Sequence, residues 1–144
     1  MSSRRAVILA AAAVALVATS CSNSASSVNK RPHVGDSTAS VVDGIQQVTV
    51  TTGSDYRFHP STIVVHPGRV RVILVNRRDA NSSAPHNFSV QGLPGAFVPL
   101  TAAGQTQAAT FTAPAPGRYT FVCTIHVAQG QTGVLIVKPG EPGS

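Results

Sequence analysis

The sequence predicts an all-β domain over residues 46–139, a Greek-key β-sandwich or barrel of about seven to eight strands, preceded by a signal peptide and a flexible tether. Three observations favour this fold class. Short runs of β-branched and apolar residues alternate with polar ones, and clusters of Pro and Gly separate the runs. The runs recur at intervals of roughly 8 to 15 residues. No stretch in this range combines helical periodicity with the length that a helix needs.

Residues 1–20 have the composition of an export signal. Arg4 and Arg5 form a positively charged start, and an uninterrupted apolar stretch follows at 6–18. This stretch is shorter than the roughly 20 residues that a membrane-spanning helix needs. We therefore expect export, by either the general secretory or the twin-arginine route.

Small residues precede Cys21, as they do in a bacterial lipobox. This pattern predicts that Cys21 is lipidated and becomes the N-terminus of a protein anchored to the outer face of the cell membrane. Ala18 stands where the lipobox usually has Leu. The alternative is ordinary cleavage after a small residue, which would leave a secreted or periplasmic soluble protein.

Residues 21–45 are rich in Ser, Asn, Ala, Gly and Asp and show no sustained periodicity. This composition predicts a flexible tether between the membrane and the domain. His33 lies in the tether, and we interpret it as a solvated loop residue. Residues 140–144 form a short Pro- and Gly-containing tail.

The charge pattern gives no indication of a nucleic-acid partner. The formal net charge is +6, but two of the 11 basic residues lie in the predicted signal peptide. The others are dispersed, and we interpret their one loose cluster as a solvated strand face: Arg69, Arg71, Arg77 and Arg78. Because no stripe of alternating aromatic and basic residues is present, we expect no nucleic-acid binding.

Seven runs within the domain have the pattern of strands. They are the run around Val48 and Val50, followed by Thr62–Val65, Arg69–Val75, His86–Val90, Ala108–Thr112, Arg118–Cys123 and Val134–Val137. The third run alternates Arg with Val and then becomes apolar throughout, as expected of a strand that passes from a surface into a core. The turn signal His66-Pro67-Gly68 precedes it.

Two residues near the C-terminal end of the domain have the chemistry and spacing of metal ligands. Cys123 ends a predicted strand, and His126 lies three residues later in the turn that follows. A thiolate and an imidazole at this spacing form half of a transition-metal site. His86, which follows Pro85 and begins a strand, is the best candidate for the missing ligand. Two His and one Cys with a weak axial ligand form a blue-copper site.

Other interpretations of these residues stay open from the sequence alone. A structural zinc site would need about four strong protein ligands. The other His residues of the domain, His59 and His66, each lie beside a Pro; we interpret them as surface turn residues, with a secondary copper-capture site as the alternative. For Cys123 the alternative is a buried, inert thiol. If Cys21 is lipidated, no disulfide forms within the mature chain, because the chain has two Cys.

Several motifs between residues 46 and 138 form a recognisable set. They are Phe58-His59-Pro60-Ser61-Thr62-Ile63, Pro67-Gly68, Pro85-His86-Asn87-Phe88, and Pro116-Gly117-Arg118-Tyr119-Thr120-Phe121-Val122-Cys123 with the loop that follows. Together they resemble the cupredoxins, small blue-copper proteins of the plastocyanin type. The resemblance implies a sandwich of about eight strands with one copper ion at one end. It also implies that His86, Cys123 and His126 are the equatorial ligands.

The axial position departs from the plastocyanin pattern. Plastocyanin-like loops run Cys, two residues, His, four residues and Met, and here Gln131 stands where that Met would be. The one Met of the chain is Met1, so the mature protein has no Met ligand. The resemblance therefore implies Gln131 as a weak axial ligand, as in phytocyanins of the stellacyanin type. Gln129 is the alternative residue, and a three-coordinate copper is the alternative site.

The resemblance also implies contacts around the ligands. Asn87 and Thr124 would form a side-chain hydrogen bond that holds the two ligand loops in register. The Pro85 carbonyl would face the copper on the side opposite Gln131. We also expect an apolar rim around His126, which would serve either partner docking or plain loop packing. Its candidate residues are Leu93, Pro94, Phe97 and Val127.

The sequence thus predicts an extracytoplasmic type 1 (blue) copper protein that is tethered to the membrane and carries one electron between Cu(II) and Cu(I). Its partner would be a redox protein. The alternative function is copper capture, buffering or delivery to another copper protein. We expect a monomer and no enzyme, because no acid/base pair or second metal cluster accompanies the site. A metal-free interaction module and a small enzyme are the remaining alternatives.

Overall fold

The described part of the chain, residues 36–141 of the computed structural model, is built almost entirely of strands. The predicted signal peptide, Cys21, His33 and residues 142–144 lie outside it. Its strands are β1 (Asp36–Thr38), β2 (Ser40–Val42), β3 (Ile45–Thr52), β4 (Thr62–Val65), β5 (Gly68–Asn76), β6 (His86–Val90), β7 (Phe97–Thr101), β8 (Thr106–Ala113), β9 (Gly117–Val122) and β10 (Thr132–Val137), with a 3₁₀ helix at Val127–Gln129. Nowhere in this range is a helix long and apolar enough to cross a membrane.

The strands form two sheets. Sheet A has the order β1-β4-β10-β9-β6-β7, and sheet B has the order β2-β3-β5-β8. Strands β1, β4 and β10 are mutually parallel, as are β3 and β5, and the remaining pairs are antiparallel. From β3 to β6 the chain passes between the sheets at every connection. The predicted all-β Greek-key sandwich is confirmed.

The core lies between the two sheets and follows the alternation in the sequence. In β5, Val70, Val72 and Leu74 are fully buried, whereas Arg69 before Val70 and Arg71 after it are exposed. Successive side chains of a strand point to opposite faces, so the Val side faces the core and the Arg side faces solvent. The buried residues of sheet A that complete this core include Ile63, Val65, Phe88, Phe121, Leu135 and Val137.

Three aromatic rings fill one part of this core. Phe58 lies against Phe88 and Phe121 with ring centroids 5.9 and 5.3 Å away, and the last two are 4.7 Å apart. All three are buried. Phe88 lies two residues after His86, and Phe121 lies two residues before Cys123. The ring cluster therefore packs directly beside both predicted ligands.

The predicted tether is too long at its C-terminal end. Strands β1 and β2 lie within residues 21–45, where the sequence predicted flexible chain. β1 pairs with β4 in sheet A, and β2 pairs with β3 in sheet B. Both are three-residue edge strands, and most of their residues are exposed, so they have no buried face to produce an apolar alternation. These two strands are held by backbone hydrogen bonds to their neighbours. Such bonds do not depend on side-chain type, so the sequence gives little indication of them.

Candidate metal centre

The strand ends bring the predicted ligands to one end of the sandwich. His86 is the first residue of β6, and Cys123 directly follows β9. Because β6 and β9 are antiparallel neighbours, the start of one strand lies beside the end of the other. Both side chains are 0% exposed. His126 lies in the loop between β9 and β10 and is partly exposed.

Four side-chain atoms converge at this place. The Nδ1 atoms of His86 and His126 are 3.1 Å apart, and Nδ1 of His126 is 3.4 Å from Sγ of Cys123. Oε1 of Gln131 is 2.8 Å from Nδ1 of His86. Among residues 36–141, the two His and the Cys are the one group of three His, Cys, Asp or Glu side chains close enough to hold a metal, with all ligand atoms within 4.8 Å of one another.

Backbone hydrogen bonds fix the loop that carries His126. The Cys123 N–H donates to the Gln131 carbonyl at 3.1 Å, which closes the loop at its base. The N–H groups of His126 and Gln131 donate to the carbonyls of Cys123 and His126 at 3.1 and 3.2 Å. Gly130 has φ +78°, a left-handed conformation that glycine adopts without steric cost. The ligand spacing is therefore set by the loop itself.

A second set of hydrogen bonds joins the two ligand segments. Nδ2 of Asn87 donates to Oγ1 of Thr124 at 2.7 Å, and the Thr124 N–H donates to Oδ1 of Asn87 at 2.8 Å. The resemblance implied this Asn87–Thr124 contact. In addition, the Asn87 N–H is directed at Sγ of Cys123, 3.5 Å away. Such contacts orient metal ligands and adjust the electron density on them.

The structure distinguishes the two Gln candidates for the axial position. Gln131 is 0% exposed, and its side chain enters the ligand cluster. Gln129 is exposed at the end of the 3₁₀ helix. The amide of Gln131 is also oriented, because its Nε2 donates to Oγ1 of Thr52 at 2.7 Å while its oxygen faces His86. The geometry favours Gln131.

The surroundings of His86 favour its neutral form. Burial lowers the pKa of the His86 imidazole below its ordinary value, the hydrogen bond with Gln131 raises it, and the nearby His126 lowers it again. The net direction is downward. Only a neutral imidazole can bind a metal ion, so the buried position prepares His86 for ligation.

The donor set fits one copper ion. Nitrogen and sulfur ligands lie about 2.0–2.3 Å from a bound metal such as zinc, so atoms 3.1 and 3.4 Å apart can share one ion. Two imidazoles and a thiolate are the trigonal set of a blue-copper site, for which a Gln oxygen is one of the weak axial donors. Structural zinc usually takes four strong ligands, and this cluster has three.

The other predicted His residues do not join the cluster. Nε2 of His59 pairs with the Asp55 carboxylate, and Nδ1 of His66 is 3.1 Å from the Pro139 carbonyl oxygen. Both rings are partly exposed, in line with their interpretation as turn residues. Pro85 is exposed directly before β6, and the role of its carbonyl stays a prediction.

Of the predicted apolar rim, Phe97 and Val127 are 48% and 49% exposed, and Pro94 is exposed. Leu93 instead packs partly buried against the core. Ile125, which was not among the residues predicted for this rim, is 48% exposed beside His126.

Three residues of the site were not predicted, and all three belong to the end of β3 or the loop after it. Thr52 binds the Gln131 amide, and the Tyr56 ring packs edge-on against His126 and His86 with centroids 4.8 and 5.7 Å away. Nη1 of Arg57 donates to the Gly130 carbonyl at 2.9 Å. The motif Phe58-His59-Pro60 lies next to them in sequence. It was the one sequence feature that could have indicated that this loop lies beside the site.

The fold and the ligand cluster together define a small β-sandwich with a copper-type site at one end. The sequence matches the family described as Cupredoxin-like domain over residues 8–137, which is most of the chain. The chain therefore belongs to the cupredoxin-like family, and the resemblance read from its motifs is confirmed.

Solved structures share this fold at low sequence identity. Auracyanin A, a "blue" copper protein from Chloroflexus aurantiacus, is 23% identical with a TM-score of 0.54, covering 66% of this chain and 100% of its own. Reduced auracyanin from Roseiflexus castenholzii is 22% identical with a TM-score of 0.54, covering 65% and 97%. The metal-binding domain of the Cu(I)-exporting P-type ATPase CopA from Streptococcus pneumoniae D39, with Cu(I), is 19% identical with a TM-score of 0.58, covering 73% and 97%. These similarities establish the fold.

Proposed function

We propose that this protein is an extracytoplasmic type 1 copper protein that carries single electrons and is held at the outer face of the cell membrane by a lipid on Cys21. Bound copper would supply the one-electron chemistry by cycling between Cu(II) and Cu(I). The observation that supports the proposal most strongly is the convergence of the donor atoms of His86, Cys123 and His126 within 4.8 Å. No substrate turnover is part of this role.

The residues around the cluster suit a carrier. The hydrogen bonds between Asn87 and Thr124 and those within the ligand loop hold the donor atoms in place, so a change of oxidation state requires little movement. His126 is the partly exposed ligand, and its neighbours Ile125 and Val127 are 48% and 49% exposed. An apolar surface beside an accessible ligand fits brief contact with a redox partner protein.

Copper binding is tested by adding Cu(II) to the reduced domain. We expect an intense visible absorption from charge transfer between the Cys123 thiolate and Cu(II), as in other sites with two His and one Cys. Cys123→Ser should abolish the band. His66→Ala, which changes a His outside the cluster, serves as the control and should leave it unchanged. A colourless wild-type domain that binds zinc but no copper through these residues would contradict the proposal.

The proposed anchor is tested separately, because it rests on the sequence around Cys21 alone. A lipidated protein should fractionate with membranes, and Cys21→Ala should move it to the soluble fraction. Mass spectrometry of the mature N-terminus checks the modification directly. A wild-type protein that is wholly soluble and begins at an ordinary cleavage site would reject the anchor and leave the copper site unaffected.

Copper capture, buffering or delivery is the second candidate function. The similarity to a domain of a Cu(I)-exporting ATPase shows that the same fold occurs in a copper transporter. The two functions differ in how firmly the protein retains its metal. A carrier keeps copper in both oxidation states and exchanges electrons quickly, whereas a buffer gives Cu(I) to a chelator or to a copper-free partner. Stopped-flow reduction and chelator competition on one sample separate them.

A further inference from the structure

Gln131 makes a buried hydrogen bond that its role as a ligand does not require. Its Nε2 donates to Oγ1 of Thr52 at 2.7 Å, and Thr52 and Gln131 are 2% and 0% exposed. Thr52 is the last residue of β3 in sheet B, whereas the cluster is carried by the strands and loops of sheet A. The bond therefore connects the predicted axial residue to the opposite sheet.

Thr52 is itself held firmly. It pairs with Asn76 in the parallel β3–β5 ladder, and its carbonyl accepts a hydrogen bond from the Arg77 N–H at 2.9 Å. Its hydroxyl thus lies at a fixed position on the side of the Gln131 amide away from His86. An amide has its nitrogen and oxygen on opposite sides, so binding the nitrogen at Thr52 directs the oxygen toward Nδ1 of His86, 2.8 Å away.

The identity of the atom that faces the cluster matters for redox chemistry. A carbonyl oxygen is a harder donor than a thioether and favours Cu(II), and the axial ligand of such sites adjusts the potential. The amide nitrogen carries its hydrogens outward and cannot act as a donor to a metal. A residue that holds the Gln131 amide oxygen toward the ligand cluster therefore lowers the reduction potential of a bound copper ion.

We propose that Thr52 is a positioning residue of the metal centre, which holds the Gln131 oxygen toward the ligand cluster and thereby keeps the reduction potential low. This inference rests on the proposed copper function. Residues that orient metal ligands in this way commonly change metal affinity by about 10–100-fold when they are mutated. For Thr52 we expect the mutation to change the relative stability of the Cu(II) and Cu(I) forms.

The test compares the midpoint potential and visible spectrum of the copper-loaded wild type with those of Thr52→Val, Thr52→Ser and Thr51→Val. Val keeps the shape of Thr but cannot accept the hydrogen bond, so the amide loses its anchor. We expect Thr52→Val to favour Cu(I) by about tenfold, which for one electron is ~59 mV. Thr52→Ser should restore the wild-type values. Thr51→Val makes the same change one residue earlier, away from Gln131, and should have no effect.

A double mutant shows whether Thr52 acts through Gln131. In a Gln131→Met background no amide remains, so adding Thr52→Val should leave the potential where Gln131→Met placed it. An equal shift in both backgrounds would overturn the proposal, and so would a blue Thr52→Val domain with the wild-type potential. Urea unfolding of the metal-free proteins checks folding, and Thr52→Ala replaces Thr52→Val if the latter does not fold. A wild-type domain that forms no blue site would instead reject the proposed function.

Discussion

Gln131 shows why single residues of this site were only partly predictable. Gln129 and Gln131 lie two positions apart in one loop; the ligand spacing places Gln131 at the axial position, and the sequence alone keeps Gln129 as an alternative. The choice depends on burial: Gln131 is 0% exposed with both amide atoms engaged, whereas Gln129 is exposed. Burial follows from the path of the loop after Gly130, whose φ is +78°, and that path is not visible in the residue pattern.

Tyr56 illustrates a residue that the sequence indicates only indirectly, through the neighbouring motif Phe58-His59-Pro60. It lies between Asp55 and Arg57, outside that motif, yet its ring contacts both His86 and His126. Its φ is +52°, which is unusual for a bulky residue. The contact depends on that loop conformation, and such conformations arise from tertiary packing.

Replacing Gln131 by Met should raise the reduction potential of the copper-loaded domain. A thioether is a softer donor than an amide oxygen and favours Cu(I). For one electron, each tenfold change in the equilibrium corresponds to ~59 mV, and we expect a shift of at least this size. The two side chains are similar in length, so the loop should not rearrange. A spectroelectrochemical titration gives the midpoint.

The matched control is Gln129→Met in the same loop. Because Gln129 is exposed outside the cluster, its substitution should leave the midpoint potential within error of the wild type. If Gln129→Met shifts the potential while Gln131→Met and Gln131→Ala do not, the axial assignment is wrong. If no substitution at either position has an effect, the copper is three-coordinate.

At the scale of elements, the sequence predicted the strands that have a regular apolar alternation and missed those that lack one. All seven predicted runs are strands, because their alternation reflects burial against the core. β1 and β2 are mostly exposed, and β7 has Pro99 at its centre, a residue that lacks the N–H a central strand needs. β7 is the edge of sheet A, where a Pro is tolerated.

The strand β10 contains a glycine that packing requires. A Cβ on Gly133 would overlap the ring of Phe121 and the carbonyl oxygen of Ser61. Gly133 is opposite Phe121 in the β10–β9 ladder, so neither neighbour can move without disturbing a strand. Gly133→Ala should therefore lower the free energy of unfolding by about 1–3 kcal/mol or more. Urea denaturation of the metal-free domain measures this value.

Gly117→Ala is the control for that substitution. Gly117 starts β9 and pairs with Val137 of β10, but a Cβ there would meet the Tyr119 ring at 3.4 Å, an ordinary contact distance. Its effect on stability should be much smaller than that of Gly133→Ala. Because Gly→Ala also reduces the entropy of the unfolded chain, which favours folding, equal losses from both substitutions would show that the overlap with Phe121 does not determine the cost.

The whole molecule depends on both sheets to form the site. The cluster is carried by β6, β9 and the following loop of sheet A, and Thr52 reaches it from sheet B. The N-terminal strands also involve both sheets, since β1 joins the edge of sheet A and β2 the edge of sheet B within seven residues of chain. The fold class and the clustering of His86, Cys123 and His126 were predictable from sequence, whereas this division of the N-terminal segment between two sheet edges was not.

The contribution of β1 and β2 is tested by shortening the chain from its N-terminus. A domain starting at Asp36 keeps both strands and one starting at Gly44 loses them, together with the pairing of β1 to β4 and of β2 to β3. Losing these few net hydrogen bonds should cost on the order of 1–3 kcal/mol of unfolding free energy. It also leaves β4 and β3 as unpaired edges, which promote association between chains. We therefore expect the shorter domain to unfold at lower urea concentration and to form oligomers in size-exclusion chromatography. Identical stability and size for both forms would show that residues 36–43 behave as part of the tether.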